Sequence, residues 1–352
     1  MPLPEGAMSV SHDAIDDLTR RGADRGVDLR PGLGLVEQRL AGAVDADLPL
    51  LTEAGQHLVA AGGKRFRPML VLLTGLLGGG RPTDDELVDA GVVVELVHLA
   101  TLFHDDVIDG AETRRGADAA HVRWSNTTAI LTGDHLLARA SELAAELGLE
   151  VTKVMARTIA ALCAGQIREV QGSSQARAHG MPSVGADRSH YLAVITDKTA
   201  SLIASACRLG ALRSGLPRES VEALTVYGHH LGMSFQIADD VLDLTAEPGE
   251  SGKAVGTDLK EGVHTLPVLY ALEADGVHST LAGHLAAATD EAIDAALALL
   301  RGHPALELAR DDARLEAAKA RRALRDLDSA ITPGVVREGL GELADFAATR
   351  VG

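Results

Sequence analysis

Two aspartate clusters of the same form lie within apolar sequence of helical character, HDDVID and ADDVLD. Their carboxylates belong to Asp105, Asp106, Asp109, Asp239, Asp240 and Asp243. At 3.6 residues per turn, the first and last aspartates of each cluster fall on one helix face and the middle one lies on its flank. Three carboxylates this close repel one another and are driven toward protonation unless cations lie nearby. The pattern therefore predicts several bound divalent metal ions.

Magnesium is the metal that this donor set favours. It prefers oxygen ligands in octahedral geometry and is usually shared between one or two carboxylates and the phosphates of a substrate. The alternative for an isolated DDxxD pattern is a solvated helix face. Apolar residues flank both clusters, however, with Phe103 before the first and Ile237 before the second. This favours a metal site over a solvated surface.

The composition predicts an all-α fold. Hydrophobic residues make up 46% of the chain and aromatic residues only 2%, so Ala, Leu and Val must build the interior. Residues 1–30 have no stable period and predict a mobile tail before a catalytic domain spanning 31–352. The helices are expected at 35–61, from a Thr83/Glu86 capping box through the first cluster, and at 126–147, 150–171, 189–214, 217–245, 264–275, 288–302, 305–328 and 334–349. Loops are expected at 172–187 and 247–262.

Charge and cysteine content exclude several classes of function. A net charge of −17 argues against a nucleic-acid surface. Cys163 and Cys207 lack CxxC spacing and are expected to be buried free thiols. No signal peptide is visible, and no run of 18 apolar residues is free of charge. A cytoplasmic protein without an integral membrane segment is expected.

Basic residues accompany the aspartate clusters. The segment GGKRFRP presents Lys64, Arg65 and Arg67, and RRG places Arg114 and Arg115 just over one turn beyond the first cluster. Guanidinium groups bind phosphate in a bidentate manner, and lysine binds it as a point charge. A basic triplet alone would be read as solvated surface. Together with two acidic clusters, it suits a ligand set with two diphosphates, one bridged by metals and one held by Lys and Arg.

Five motifs in register carry a specific resemblance. GGKRFRP, DDVID with RRG, DKT at 197–199, QIADDVLD, and GKAVGTDLKEG with TLP at 265–267 resemble, over roughly residues 35–350, the trans-type isoprenyl diphosphate synthases of the polyprenyl synthetase family. The resemblance implies a single large helical bundle around a deep central cavity, with the two aspartate helices facing each other. It also implies Mg²⁺-dependent head-to-tail condensation of isopentenyl diphosphate with an allylic diphosphate, and a homodimer.

The resemblance assigns roles residue by residue. Magnesium, at about three ions per site, would be bound by Asp105, Asp109 and Asp239 and supported, largely through water, by Asp106, Asp240 and Asp243. The allylic diphosphate would be held by Arg114, Lys198 and Lys253. Isopentenyl diphosphate would be held by Lys64, Arg67, His98 and Arg115. The allylic cation would be stabilised by Thr199, Gln236 and the backbone carbonyl of Lys198, and the departed pyrophosphate would act as the base.

Two positions qualify this assignment. Many relatives have a lysine after the glycine of the last motif, whereas Val263 follows Gly262 here, and His264 or Lys260 could supply the missing cation. His104 beside Asp105 could be a zinc ligand, but the oxygen-rich surroundings suit magnesium, so His104 is expected to pack or to support the site indirectly.

Residues before the first cluster predict product length. Ala100 and Thr101 lie about one turn deeper than Asp105 on the same helix, and both are small. By the resemblance, a medium- to long-chain product of roughly six to ten isoprene units, such as a quinone side-chain precursor, is expected. The alternative is that Ala100 and Thr101 merely suit helix packing and that another helix or a partner subunit forms the floor. The alternative function is that of a farnesyl or geranylgeranyl diphosphate synthase.

Three rival functions use parts of the same pattern. An HD-type phosphohydrolase would use His104 and Asp105 but leaves the second cluster and GKRFRP unexplained. A noncatalytic subunit of a heteromeric synthase commonly loses the aspartate motifs, which this chain retains. A terpene cyclase uses the same ionisation but needs no second diphosphate site.

Overall fold

The computed structural model describes residues 27–173, 181, 184–185, 187–246, 255–276, 278–327 and 334–349. It confirms the all-α prediction. The helices are α1 (Arg30–Ala43), α2 (Pro49–Ala60), α3 (Phe66–Leu77), α4 (Asp85–Asp109), α5 (Ala120–Arg123), α6 (Asn126–Glu146), α7 (Leu149–Gly172), α8 (Arg188–Ile195), α9 (Ser201–Arg213), α10 (Arg218–Thr245), α11 (Thr257–Lys260), α12 (Leu266–Asp275), α13 (Thr280–Ala287), α14 (Asp290–Arg301), α15 (Ala305–Ala323) and α16 (Gly334–Thr349). A π-helical turn, Thr196–Ala200, joins α8 to α9, and a 3₁₀ turn, Leu324–Asp326, follows α15.

Two short strands form the sheet structure of the described residues. They are β1 (Thr113–Arg114) and β2 (Ala117–Asp118), which pair as an antiparallel hairpin between α4 and α5. The hairpin carries Arg114, and Arg115 lies in its turn, so neither arginine continues α4.

The helix predicted at 35–61 was wrong, because the chain breaks into α1 and α2. Pro49 occupies the first turn of α2, and Leu48 before it is extended. Proline has no backbone N–H to donate and disfavours helical geometry in the preceding residue. The backbone N–H of Ala46 instead donates to the Thr52 hydroxyl, which closes the link between the two helices.

The expected capping box at the start of α4 was also wrong. The N-cap is Asp84, which makes no side-chain cap of its own helix. Its carboxylate accepts instead from the backbone N–H of Arg81, at 2.8 Å. The acidic residues of the first turn still interact favourably with the positive end of the helix dipole.

Several other helix boundaries in the structure differ from the predicted ones. Helix α13 was not expected, and α11 lies inside the expected loop at 247–262. The helix expected to reach residue 328 gives way to a 3₁₀ turn after Ala323. Residues 1–26 of the expected tail lie outside the described residues, and Leu29, just before α1, is buried.

The interior consists of two hydrophobic clusters that share α10. The first half of this helix contributes Leu231 to the larger cluster, and its second half contributes Val241 to the other. Burying one such side chain stabilises the fold by about 1.5–3 kcal/mol. The second aspartate motif is therefore carried by a helix that is packed into the interior along both of its halves.

Helix α4 is the candidate membrane span among the described residues. Its 25 residues are long and apolar enough by length and composition, although Glu95 interrupts the apolar run. However, 72% of its most apolar window is buried inside the protein. In this fold α4 is a core helix, and it carries the first aspartate motif at its C-terminal end.

Candidate active site

The π-turn between α8 and α9 lies between the two aspartate motifs. It is held closely by helices on both sides, since a Cβ added at Gly165 of α7 would lie 2.6 Å from the backbone N of Lys198. A Cβ at Gly232 of α10 would lie 2.6 Å from Cα of Ala200. Only glycine permits such an approach at either position. Single π-turns of this kind occur frequently at functional sites.

The first aspartate motif faces Lys198 from the end of α4. Burial, reinforced by the negative charges of Asp109 and Glu169 and opposed by Lys198, raises the pKa of Asp105 to about 7. Burial likewise raises the pKa of Asp109. These carboxylates therefore lie in a cleft where a cation would lower their free energy.

Lys198 is the cation that already lies there. Its ammonium donates a hydrogen bond to the Glu169 carboxylate on α7. Burial works against the charged form, but Glu169, Asp105 and Asp109 outweigh it and raise the pKa of Lys198. The lysine is therefore held fully charged between the carboxylates of α4 and α7.

The middle aspartate of the first motif pairs with the hairpin. Helix α4 ends at Gly110, whose positive φ of 66° reverses the chain. Arg114 consequently returns to the helix, and its Nε donates to Oδ1 of Asp106 at 2.6 Å. Burial raises the pKa of Asp106, and Arg114 opposes this effect. Asp106 thereby positions a guanidinium group next to the metal-type carboxylates.

Thr199 and the second motif are connected by hydrogen bonds. The Thr199 hydroxyl donates to Oε1 of Gln236 at 2.7 Å, and the Gln236 amide donates to Oδ1 of Asp240 at 2.8 Å. Burial raises the pKa of Asp240 to about 7, against the hydrogen bonds from Tyr191 and Gln236. Because Lys198 and Thr199 are consecutive, the π-turn links the first motif to the second.

The last aspartate of the second motif binds the backbone of α11. Asp243 accepts from the N–H groups of Thr257 and Asp258, each at 3.2 Å. Charged oxygen at a helix start satisfies donors that have no partner within the helix. Lys253 lies outside the described residues, so its expected contact with the allylic diphosphate stays a prediction.

The residue that follows Gly262, where many relatives have a lysine, lines a cleft beside the first aspartate motif. Val263 lines it together with Asp109 and Glu169. Lys260 is exposed, and burial lowers the pKa of His264. That His264 or Lys260 supplies the missing positive charge stays a prediction.

The basic triplet divides into a structural residue and candidate binding residues. Arg65, with a left-handed φ of 45°, is 5% exposed and donates to buried Glu95 at 2.8 Å and to Glu37 at 3.0 Å. Lys64 is exposed. Arg67 is half-buried, and among the described residues its buried Nε has no hydrogen-bond partner. An unsatisfied buried guanidinium donor is a ready contact for an anionic ligand.

Arg67, Arg115 and His98 form a second cationic group. Burial, reinforced by Arg115, lowers the pKa of Arg67 to about 10, so it remains charged at neutral pH. Burial lowers the pKa of Arg115, which donates to the backbone oxygen of Gly62. Burial and the surrounding arginines hold the pKa of His98 well below its ordinary value. His98 is therefore a neutral hydrogen-bonding group beside two positive charges.

The donors fit a divalent metal by their chemistry. Asp105 and Asp109 are half-buried oxygen donors, and their raised pKa values are of the kind that a nearby cation would reverse. Within the described part of the chain, no three His, Cys, Asp or Glu side chains already converge on one metal position. Substrate phosphates would therefore have to complete the coordination, as magnesium commonly requires.

His104 packs against α6 and does not join the carboxylates. Its Nε2 lies 3.2 Å from the backbone oxygen of Ile130 and 3.4 Å from Oδ1 of Asp134. A zinc role together with Asp105 is not supported. The expectation that Cys163 is buried was wrong, because it is exposed, whereas Cys207 is buried as expected.

Sequence reasoning missed two residues of the site, Glu169 and Tyr191. Glu169 lies on α7 and Tyr191 on α8, each outside the recognised motifs. Neither belongs to a cluster with its own spacing signature. Helical phase gave one usable signal, since Glu169 lies four residues after Gly165 and hence on the face that meets Lys198.

The fold, the aspartate motifs and the neighbouring cations define an all-helical prenyltransferase of the isoprenoid synthase class. The sequence model of polyprenyl synthetase matches residues 48–300, and the chain belongs to this family. It is 42% identical to the nonaprenyl diphosphate synthase of Mycobacterium tuberculosis over 92% of this chain and 94% of that protein.

Solved structures agree over the whole fold. The decaprenyl diphosphate synthase from Rhodobacter capsulatus has a TM-score of 0.82 at 31% identity, covering 96% of this chain and 99% of its own. A polyprenyl synthase from Caulobacter crescentus, complexed with calcium and isoprenyl diphosphate, has a TM-score of 0.84 at 33% identity, with both chains covered in full.

Proposed function

We propose that this chain condenses isopentenyl diphosphate head to tail with an allylic diphosphate in a Mg²⁺-dependent reaction. The observation that carries the proposal is the π-turn, where consecutive residues serve the two motifs. Lys198 faces Asp105 and Asp109, and Thr199 is hydrogen-bonded to Gln236 on the second aspartate helix. One short segment thus holds a diphosphate-binding cation beside a hydroxyl suited to the developing allylic cation.

The allylic diphosphate is proposed to bind between the aspartate motifs. Asp105, Asp109 and Asp239 would hold about three Mg²⁺ ions, with the other aspartates supporting them. When bound, these ions neutralise the negative charge that develops on the departing pyrophosphate. Lys198 and Arg114 would bind the same diphosphate, and Lys253 would join them.

Isopentenyl diphosphate is proposed to bind the second cationic group. Arg67 and Arg115 supply charge, Lys64 adds an exposed ammonium, and neutral His98 supplies a hydrogen bond. Separating the two diphosphates keeps their charges apart while their hydrocarbon ends meet. Such positioning can supply much of the acceleration of a two-substrate reaction.

The reaction requires stabilised positive charge and exclusion of water. Oxygen atoms of Thr199, Gln236 and the Lys198 carbonyl would face the allylic carbon as its bond to oxygen breaks. Fixed dipoles in a site without water stabilise developing charge more strongly than solvent does. The alkene of isopentenyl diphosphate then attacks that carbon, and the departed pyrophosphate accepts the proton that is lost.

The proposed product has a medium to long chain, roughly six to ten isoprene units, because Ala100 and Thr101 are small side chains one turn below Asp105. Ala100 is fully buried and Thr101 half-buried. The nonaprenyl and decaprenyl names of the relatives reported above support this class. A quinone side chain is the proposed destination of the product. A geranylgeranyl or farnesyl product is the alternative.

We propose that the protein acts as a homodimer in the cytoplasm. Ile130 and Leu131 of α6 are 42% and 53% exposed, which makes them candidates for the subunit interface. Light scattering at micromolar concentration should give twice the mass of one chain. A Leu131→Lys variant should give the mass of one chain.

One incubation separates the candidate functions. Purified protein is mixed with Mg²⁺, an allylic diphosphate and labelled isopentenyl diphosphate. Chain elongation supports the proposal. Phosphate release without elongation supports a hydrolase, and a cyclic product formed without isopentenyl diphosphate supports a cyclase. Activity that appears only after a second protein is added supports a subunit of a heteromeric enzyme.

A further inference from the structure

Tyr191 on α8 donates a hydrogen bond of 2.5 Å from its hydroxyl to Oδ2 of Asp240. The two residues are 5% and 4% exposed, respectively. The proposed reaction gives Tyr191 no role. This residue lies seven positions before Lys198 and outside the DKT motif at 197–199. Buried tyrosine hydroxyls usually have a hydrogen-bond partner, and here that partner is a carboxylate of the candidate site.

The hydrogen bonds beyond Asp240 have a definite direction. Both carboxylate oxygens of Asp240 accept a hydrogen bond, Oδ2 from the Tyr191 hydroxyl and Oδ1 from the amide nitrogen of Gln236 at 2.8 Å. The amide oxygen of Gln236 is then left to accept from the Thr199 hydroxyl, at 2.7 Å. The Thr199 proton is thereby committed to Gln236, and the lone pairs on its oxygen remain for another partner.

We propose that Tyr191 is a positioning residue for prenyl transfer. By holding Asp240 as a double acceptor, it fixes the Gln236 amide and, through it, the Thr199 oxygen that faces the allylic cation. Connected buried hydrogen bonds orient one another in this way. The inference rests on the proposed function and deepens it, since it explains how the cation-stabilising oxygen atoms are aimed.

A purely structural role for Tyr191 is the alternative. Tyr227 offers a matched control, because it is also buried and donates a hydrogen bond of 2.7 Å, in its case to the backbone oxygen of Leu340 on α16. Tyr227 belongs to the larger hydrophobic cluster, whereas Val241 of the second aspartate motif belongs to the other. Removing either hydroxyl deletes one buried hydrogen bond, but only one of these bonds belongs to the Thr199 chain.

The test compares wild type with Tyr191→Phe, Tyr227→Phe, Thr199→Val and the Tyr191→Phe/Thr199→Val double variant. Chain elongation gives kcat, KM for each diphosphate and the Mg²⁺ concentration for half-maximal rate, and thermal unfolding reports folding. We expect Tyr191→Phe to lower kcat roughly tenfold with both KM values and the Mg²⁺ dependence unchanged. The double variant should be no slower than Thr199→Val alone, because both changes break one chain.

Several results would overturn the inference. One is a kcat of Tyr191→Phe equal to that of Tyr227→Phe, and another is a double variant whose loss of kcat is the product of the two single losses. A shift in the Mg²⁺ dependence of Tyr191→Phe would also do so, as would unfolding of Tyr191→Phe while Tyr227→Phe stays folded. Failure of the proposed function is separate, because wild type itself would then not elongate.

Discussion

Lys198 donates a hydrogen bond to Glu169 while its ammonium also faces Asp105 and Asp109. It is thus a half-buried cation with three carboxylates around it. A diphosphate that arrives with divalent metals would bring charge of both signs to this position. Lys198 then has a partner available both with and without substrate, which keeps its charge compensated.

Replacing Lys198 by Met should raise KM for the allylic diphosphate about 10- to 100-fold, as expected for one lost charged hydrogen bond. KM for isopentenyl diphosphate should change little, because its proposed site uses other cations. Steady-state elongation with each substrate varied in turn measures both values. The exposed Lys153, replaced by Met, serves as the control, and an equal rise of both KM values would contradict the separation of the two sites.

Arg65 and Arg67 are expected to respond oppositely to the same substitution. Arg65→Met leaves the carboxylate of Glu95 buried without its partner, which should destabilise the fold by about 3–5 kcal/mol. Arg67→Met should change stability little and raise KM for isopentenyl diphosphate. Thermal unfolding and steady-state kinetics on both variants decide this, and a stable Arg65→Met beside an unstable Arg67→Met would reverse the assignment.

His98 should make stability depend on pH. Its pKa is depressed in the folded chain, by burial first and then by Arg67 and Arg115. Below about pH 6.5 the unfolded chain takes up a proton that the folded chain does not, so the free energy of unfolding falls as the pH falls. The urea midpoint between pH 5 and 7.5 should therefore vary less in His98→Gln than in wild type. A His278→Gln control, at an exposed position, should retain the wild-type slope.

Magnesium together with pyrophosphate should raise the unfolding temperature of the wild type. A ligand that binds only the folded chain adds about 2.7 kcal/mol at 100 times its Kd. Asp105→Asn should lose most of this increment, whereas Asp118→Asn, at an exposed position of the hairpin, should keep it. An unchanged increment in Asp105→Asn would remove this residue from the proposed metal ligands.

Ala100→Tyr should shorten the product. The added ring would place bulk one turn below Asp105, where the small Ala100 is fully buried. Chromatography of the dephosphorylated products measures the change, and Ala100→Ser controls for substitution without added bulk. Unchanged length in both variants would place the floor of the cavity elsewhere.

The sequence predicted the helical class because Ala, Leu and Val leave few alternatives, and it located both aspartate motifs. It could not separate Arg65 from Arg67, because two arginines of one short motif differ only in their tertiary partners, here Glu37 and Glu95 for Arg65. Glu169 and Tyr191 were missed for the same reason. Pro49 does signal a break in the helix, but the apolar periodicity on either side of it favoured one continuous helix.

Product chain length tests the central claim most directly. Wild-type protein, Mg²⁺, farnesyl diphosphate and excess labelled isopentenyl diphosphate should yield a polyprenyl diphosphate of roughly six to ten isoprene units, identified by chromatography after dephosphorylation. A main product of fifteen or twenty carbons, or no elongation at all, would contradict the account.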